Sequence, residues 1–181
     1  ASAELLQAVS VERVSAVVPG EPALDGLVAD LRAAGARVVR AGHFFGPDAS
    51  IPRNVRELRA AFVELRPRTV HVHTPWVGMG KEAVVAAWLA GVPYRLRTEQ
   101  NPVPDRLHWR QRLSLAVTDR LVQGITFVSS GNRDSHLRNA GRNRRKCVVI
   151  PNAVRPAPPS RDRGVVRAEL GLPPEAVIAV M

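Results

Sequence analysis

The sequence predicts an α/β fold, namely a Rossmann-like, doubly wound, mostly parallel sheet with helices on both faces. Two observations lead to this prediction. Short runs rich in β-branched residues, each ended by Gly, Pro or Thr, alternate with segments of about ten to fifteen residues that have helical periodicity. In addition, residues 69–73 show no long polar alternation, which is typical of a strand covered on both faces.

The first half of the chain follows this alternation closely. Its predicted strands cover residues 14–18, 38–41 and 69–73. Its predicted helices cover residues 23–34 and 55–65. Gly35 suits the C-terminal cap of the first helix, while Arg66 and Pro67 end the second.

The second half continues the same order. Its predicted strands cover residues 94–98, 125–128 and 147–150, and its predicted helices cover residues 81–89 and 132–139. Ser129 and Ser130 are expected to form the N-terminal cap of the second of these helices, and Gly141 to end it. Between the helices predicted at 81–89 and 132–139 lies a basic helix that Asp105 is expected to cap. Its apolar stripe consists of Trp109, Leu113, Ala116 and Val117. We expect this stripe to pack into the core and the arginines to lie in water; the alternative is a basic amphipathic helix that lies on anionic lipid.

The organisation at the two ends predicts a fragment of a larger architecture. Residues 1–152 are expected to form one Rossmann-like domain whose first strand is missing, since residues 4–9 resemble the last turns of a helix that no strand precedes. Residues 153–175 form a Pro-rich linker with a short helix at 164–170. Residues 176–181 begin an apolar strand of a second, truncated domain.

Composition excludes several classes of protein. Hydrophobic residues make up 45% and charged residues 23% of the 181 residues, a profile of soluble globular proteins rather than of disordered or fibrous ones. The longest apolar run, residues 83–90, is too short to span a membrane. Cys147 is the single cysteine, so an internal disulfide is excluded. A reducing cytoplasm is therefore the expected location of the protein. A peripheral contact at the inner face of the membrane is a further expectation.

Positive charge is concentrated in the second half. The formal net charge is +10, and residues 95–146 hold twelve basic and four acidic residues, hence +8 of it. Such density attracts phosphates, whether of a sugar nucleotide, an anionic lipid surface or a nucleic acid. Nucleic acid is the least favoured partner, because aromatic residues make up only 4% and do not interleave with the basic run at 142–146.

Candidate site residues follow three predicted strands. His73 and Thr74 end one strand, and because strand spacing is two residues His71 lies on the same face as His73. These histidines could equally be hydrogen-bonded inside the sheet, and no acidic or cysteine cluster accompanies them as metal ligands. Gln100 and Asn101 follow the next strand, where a plain polar loop is the alternative.

The third position is the start of a helix. Ser129 and Arg133 stand where a strand runs into a helix N-terminus, which can bind an anion; an ordinary cap and a solvated arginine are the alternative. Ligands of open α/β sheets bind beyond the carboxyl ends of the strands, and all three positions lie there.

Together these segments resemble the N-terminal domain of family 4 glycosyltransferases, which are retaining enzymes of GT-B architecture. The order and spacing hold from about Val14 to the end of the chain. The matching segments are RTVHVHTP at 68–75, AGVP at 90–93, TEQN at 98–101, VSS at 128–130 and VVIPNAV at 148–154, followed by AELGLP at 168–173.

The resemblance implies that this half binds the acceptor, a sugar or a lipid-linked sugar, and closes over a nucleotide-sugar donor such as a UDP- or GDP-sugar held mainly by a second domain. It implies no cofactor and no metal. His73, Thr74 and the Gln100 to Asn101 segment would line the cleft, with His73 and Gln100 as candidate catalytic groups. Ser129 and Arg133 would also face the cleft, and Asn152 would belong to the hinge.

Three departures from the family pattern bear on activity. Many relatives have His where this chain has Gln100, which can hydrogen-bond a hydroxyl but cannot shuttle a proton near neutral pH. The family's glycine-rich loop after its first strand is absent, as is the donor-binding domain. Transfer by these 181 residues alone is therefore not expected. Two other hypotheses stay open, namely a non-catalytic basic module that binds anionic lipid or nucleic acid, and a sugar-nucleotide epimerase of the same architecture.

Overall fold

The computed structural model describes residues 14–43, 50–153, 161–173 and 175–177. The expected helix at 4–9 lies outside these residues, as do most of the linker at 153–163 and the end of the strand expected at 176–181. Residues 176 and 177 are described and are not in a strand. No helix in the described part of the chain is long and apolar enough to cross a membrane.

Strands and helices alternate as predicted. The strands are β1 Ser15–Val18, β2 Arg37–Arg40, β3 Thr69–Thr74, β4 Tyr94–Glu99, β5 Gly124–Phe127 and β6 Cys147–Val149. The helices are α1 Asp25–Ala33, α2 Ile51–Leu65, α3 Lys81–Leu89, α4 Trp109–Arg120, α5 Ser130–Ser135 and α6 Arg163–Glu169. Short 3-10 turns at Pro22–Leu24 and Arg144–Lys146 and a π-turn at His136–Ala140 complete the order.

All strand pairs are parallel. β1 pairs with β2, and a second sheet has the order β3, β4, β5, β6. Parallel neighbours need helical crossovers, which accounts for the helix between each pair of consecutive strands. The predicted Rossmann-like α/β fold is confirmed.

Among the described residues, helices cover both faces of the first sheet and one face of the second. α2 and α3 pack on the face of β3 that presents Val70 and Val72, in a core to which Val17 and Val39 of the first sheet also contribute. α1 packs on the opposite face of the first sheet, where Val28 and Leu31 meet Val18, Ala36 and Val38.

The prediction that β3 is covered on both faces is wrong. Its residues alternate strictly between exposed and buried, because the helices that pack on the second sheet lie on the Val70 face. The other face holds His71 and His73 and continues over exposed Tyr94 and Val148 of neighbouring strands.

Two predictions about α4 are also wrong. The helix begins at Trp109 rather than after Asp105, because His108 caps it: its ring nitrogen accepts the Arg110 N–H, and the Gln111 side chain accepts the His108 N–H. The apolar stripe that starts at Trp109 faces solvent. The residues that α4 buries are Leu115, Thr118 and Asp119.

Candidate functional site

The candidate site lies at the carboxyl edge of the four-stranded sheet. Because the four strands are parallel, their last residues, Thr74, Glu99, Phe127 and Val149, lie at one edge. The segments that follow these strands carry most of the polar residues predicted from the sequence. The structure therefore brings Gln100, Asn101 and Ser129 to the same edge as His73.

The two histidines of β3 lie side by side on one face of the strand, as predicted, and this face is exposed. Their ring centroids are 4.3 Å apart, and His71 Nε2 is hydrogen-bonded to Thr98 Oγ1 at 2.7 Å. Thr98 Oγ1 is in turn 2.6 Å from Thr126 Oγ1, so a polar ladder crosses three strands. Desolvation, with a contribution from neighbouring His73, lowers the pKa of His71 to about 4, and desolvation lowers the pKa of His73. Both rings are therefore neutral near pH 7 and can donate and accept hydrogen bonds.

Thr74 is part of the support of the site and not of its surface. It is buried, and its hydroxyl lies 2.9 Å from the Thr98 carbonyl and 3.0 Å from Glu99 Oε2. The Thr74 carbonyl accepts the backbone N–H of Gln100 at 3.1 Å. Thr74 thus ties the ends of β3 and β4 together.

Under this edge lies a buried ion network of two arginines and two acids. Arg97 Nε is 3.0 Å from Glu99 Oε1, and Arg142 forms ion pairs with both Glu99 and Asp119. Arg97 also donates to the Met79 carbonyl at 2.6 Å. The two positive and two negative formal charges cancel, so the network buries no net charge, which would be costly away from water.

The network fixes the position of the Gln100 segment. Glu99 points inward toward Arg97 and Arg142, and the Asn132 side chain donates to the Glu99 carbonyl at 2.9 Å. Gln100, the next residue, is consequently turned to the exposed side. Its side-chain amide makes no hydrogen bond with the described residues and is available to a ligand.

Asn101 connects the loops of this edge. Its side chain donates to the Pro75 carbonyl at 2.8 Å, and its own carbonyl accepts the Nε2–H of His136 at 3.0 Å. His136 is buried edge-on against Phe127, and this burial lowers its pKa. The buried ring is thus a neutral anchor for the loop that carries Gln100.

Ser129 and Arg133 have local partners. Ser129 Oγ accepts the Asn132 N–H at 3.1 Å, so its prediction as a helix cap is confirmed. The Arg133 guanidinium donates twice to Asp134 Oδ1, at 3.0 and 2.9 Å. α5 is only six residues long before the π-turn, and Gly141 ends that turn at φ +70.

Asn152 is exposed beyond β6 and has no hydrogen bond to the described part of the chain. Of the predicted site residues, His73, Gln100 and Asn152 therefore present polar atoms to solvent, whereas Thr74 and Asn101 hold the edge together. Among residues 14–43, 50–153, 161–173 and 175–177 no group of three His, Cys, Asp or Glu side chains is placed to hold a metal ion.

Sequence reasoning missed the ion network and His43. The signal for the network was the pattern of Arg95, Arg97 and Glu99, three charges on one face of a strand inside a parallel sheet. His43 follows β2. Asn54 Oδ1 accepts the His43 N–H at 2.9 Å, and Asn54 Nδ2 donates to the His43 carbonyl at 2.7 Å. Gly20 lies under the His43 ring, and a Cβ at this position would be 2.3 Å from the ring as it stands, so a larger residue at position 20 would require the ring to move.

A parallel, doubly wound sheet with polar ligand-accessible groups at its carboxyl edge defines the chain as a Rossmann-like α/β domain. More specifically, the chain belongs to the glycosyl transferase 4-like domain family, whose sequence model matches residues 3–153. The resemblance to family 4 glycosyltransferases is thereby confirmed.

Solved structures agree with this assignment at the level of the fold. A glycosyltransferase from Rickettsia africae ESF-5 superimposes with a TM-score of 0.66 at 13% identity, over 95% of this chain. This chain spans 45% of the length of the Rickettsia protein. No curated protein is significantly similar to the chain in sequence.

Proposed function

We propose that this chain is the acceptor-binding half of a retaining glycosyltransferase that uses a UDP- or GDP-linked sugar. The observation that carries the proposal is that the Gln100 amide and the His73 ring are both exposed at the same carboxyl edge of a glycosyl transferase 4-like domain. Amides and neutral imidazoles donate and accept hydrogen bonds, as the recognition of sugar hydroxyls requires. The acceptor in this proposal is a sugar or a lipid-linked sugar.

Each exposed group has a role in the proposal. Gln100 binds an acceptor hydroxyl, and His73 is the candidate proton acceptor, since its lowered pKa keeps it unprotonated near neutral pH. Arg133 and the Ser129 segment face the donor phosphates, while Asn152 lies at the hinge toward the donor side. The buried ion network positions Gln100 without adding net charge to the cleft.

In this proposal, donor binding needs residues beyond these 181. This is consistent with the chain spanning only 45% of the length of the Rickettsia protein. The chain alone would then bind acceptor sugars weakly and transfer nothing. Nucleotide sugars act as co-substrates here, with neither cofactor nor metal. The single cysteine fits a chain that works in the reducing cytoplasm.

Nuclear magnetic resonance on the chain labelled with nitrogen-15 tests the acceptor role. Glucose, galactose, mannose and N-acetylglucosamine are added in turn at millimolar concentration, followed by UDP and GDP. We expect one of the sugars to shift the side-chain amide signals of Gln100. Gln111, an exposed glutamine on α4 beyond the edge, is the internal control. Equal shifts at both glutamines, or no shift with any sugar, would contradict the proposal.

A further inference from the structure

Helix α4 presents an apolar stripe to solvent. Trp109, Leu113 and Val117 are 62%, 57% and 49% exposed, and a spacing of four residues places them on one face of the helix. The opposite face is anchored by buried Leu115 and by Asp119, which pairs with Arg142. The apolar residues of α4 are thus divided between two faces, and the outer set belongs to none of the hydrophobic clusters of the described residues.

Arginines surround this stripe. Arg106, Arg110 and Arg120 are exposed, and the Arg110 guanidinium lies 5.3 Å from the centre of the Trp109 ring. The acidic residues of the same segment do not neutralise them, because Asp119 is buried in the ion network and only Asp105 is exposed. The face therefore combines apolar side chains with a net positive charge.

The stripe also lies close to the candidate site. α4 follows directly on the loop at 100–108, which carries Gln100 and is anchored by the Asn139 side chain through the carbonyls of Val103 and Pro104, at 2.7 and 3.0 Å. The Trp109 end of the helix is therefore the end joined to the carboxyl edge.

We propose that this face of α4 docks on the surface of an anionic lipid bilayer. Leu113 and Val117 would enter the region between headgroups and acyl chains, Trp109 would lie at the polar boundary, and the arginines would contact lipid phosphates. Charge complementarity selects this occupant. A second copy of the same face would bring arginines against arginines, and the stripe offers nucleic acid bases a single aromatic side chain, Trp109, rather than a series of stacking surfaces. Docking here does not depend on the proposed glycosyltransferase function.

Vesicle co-sedimentation tests the proposal. The chain is mixed with vesicles of phosphatidylcholine alone or with one quarter phosphatidylglycerol, at low and at high salt. Binding is expected only with phosphatidylglycerol and is expected to weaken with salt. Arg106→Ser with Arg110→Ser is expected to weaken binding about 25-fold, since each arginine near the surface contributes about a factor of five. Arg32→Ser with Arg56→Ser, two exposed arginines on other helices, is the matched control and is expected to bind as the unmodified chain does.

A second arm tests the apolar stripe. Leu113→Ser with Val117→Ser is expected to abolish binding while leaving the circular dichroism spectrum unchanged, because both side chains are exposed. Trp88 is an exposed tryptophan on α3, so Trp88→Ser is expected to retain binding. Binding that is equal on neutral vesicles, or equal in the stripe variant, would overturn the proposal. The proposal would also be overturned if the chain did not bind vesicles and the stripe variant changed its oligomeric state. The occupant of this face would then be a second copy of the chain.

Discussion

Arg142→Met tests the buried ion network most sharply. Arg142 bridges Glu99 and Asp119, and all three side chains are buried, so its loss leaves Glu99 paired with Arg97 alone and Asp119 without an ion pair among the described residues. Removing one partner of a buried pair typically costs about 3–5 kcal/mol. We therefore expect the free energy of unfolding to fall by about 4 kcal/mol, a large share of the roughly 5–15 kcal/mol of a typical domain.

Urea unfolding at pH 7, followed by circular dichroism, measures this loss. Arg161→Met is the control: its ion pair with Glu169 is exposed, at 52% and 53%, and should contribute less than about 1 kcal/mol. The double variant Arg142→Met with Asp119→Asn retains the balanced pair of Arg97 and Glu99 and should recover part of the loss. A loss no larger than that of Arg161→Met, or a double variant as unstable as the single one, would refute the reasoning.

Three further predictions concern the edge of the sheet and its supports. Gln100→His, in the protein as it is naturally encoded, is expected to preserve or raise sugar transfer; a large loss in the initial rate would show that the amide itself is the required group. The lowered pKa values of His71, about 4, and His73 mean that the folded state binds protons less readily than the unfolded state, in which histidine titrates near 6.5. The contribution of these two histidines to stability should thus be constant above about pH 6.5 and fall as the pH drops toward 4, and urea midpoints that rise on acidification would contradict this. Asn54→Ala removes both hydrogen bonds to the His43 backbone and should cost about 2–4 kcal/mol in urea unfolding, whereas a cost below about 0.5 kcal/mol would show that water replaces the amide.

Local patterns in the sequence were sufficient to predict most of the fold. The α3 helix was predicted with its exact bounds, because its apolar residues are bounded by Gly80 and by the Ala90 to Gly91 turn. The His71 and His73 pair was placed correctly on one face, since strand geometry alone determines it. The Ser129 cap followed from its residue type and its place before a helix.

Long-range pairing explains what the sequence did not reveal. The orientation of α4 depends on the ion pair of Asp119 with Arg142, which is 23 residues away in the chain. This pairing turns a helix face with Thr118 and Asp119 inward and leaves Trp109 outside, against the usual burial of apolar residues. The charges of β4 were likewise read as surface charge, because their burial becomes acceptable only when Arg142 completes the network.

Sugar transfer by the protein as it is naturally encoded tests the central claim most directly. Labelled UDP- and GDP-sugars are supplied with a panel of sugar and lipid-linked acceptors, and the product is examined by mass spectrometry and by the coupling constant of its anomeric proton. We predict transfer with the anomeric configuration of the donor, strongly reduced by His73→Ala and unaffected by Gln111→Ala. Release of an epimerised free sugar, transfer with inverted configuration, or full activity of the His73→Ala variant would contradict the account.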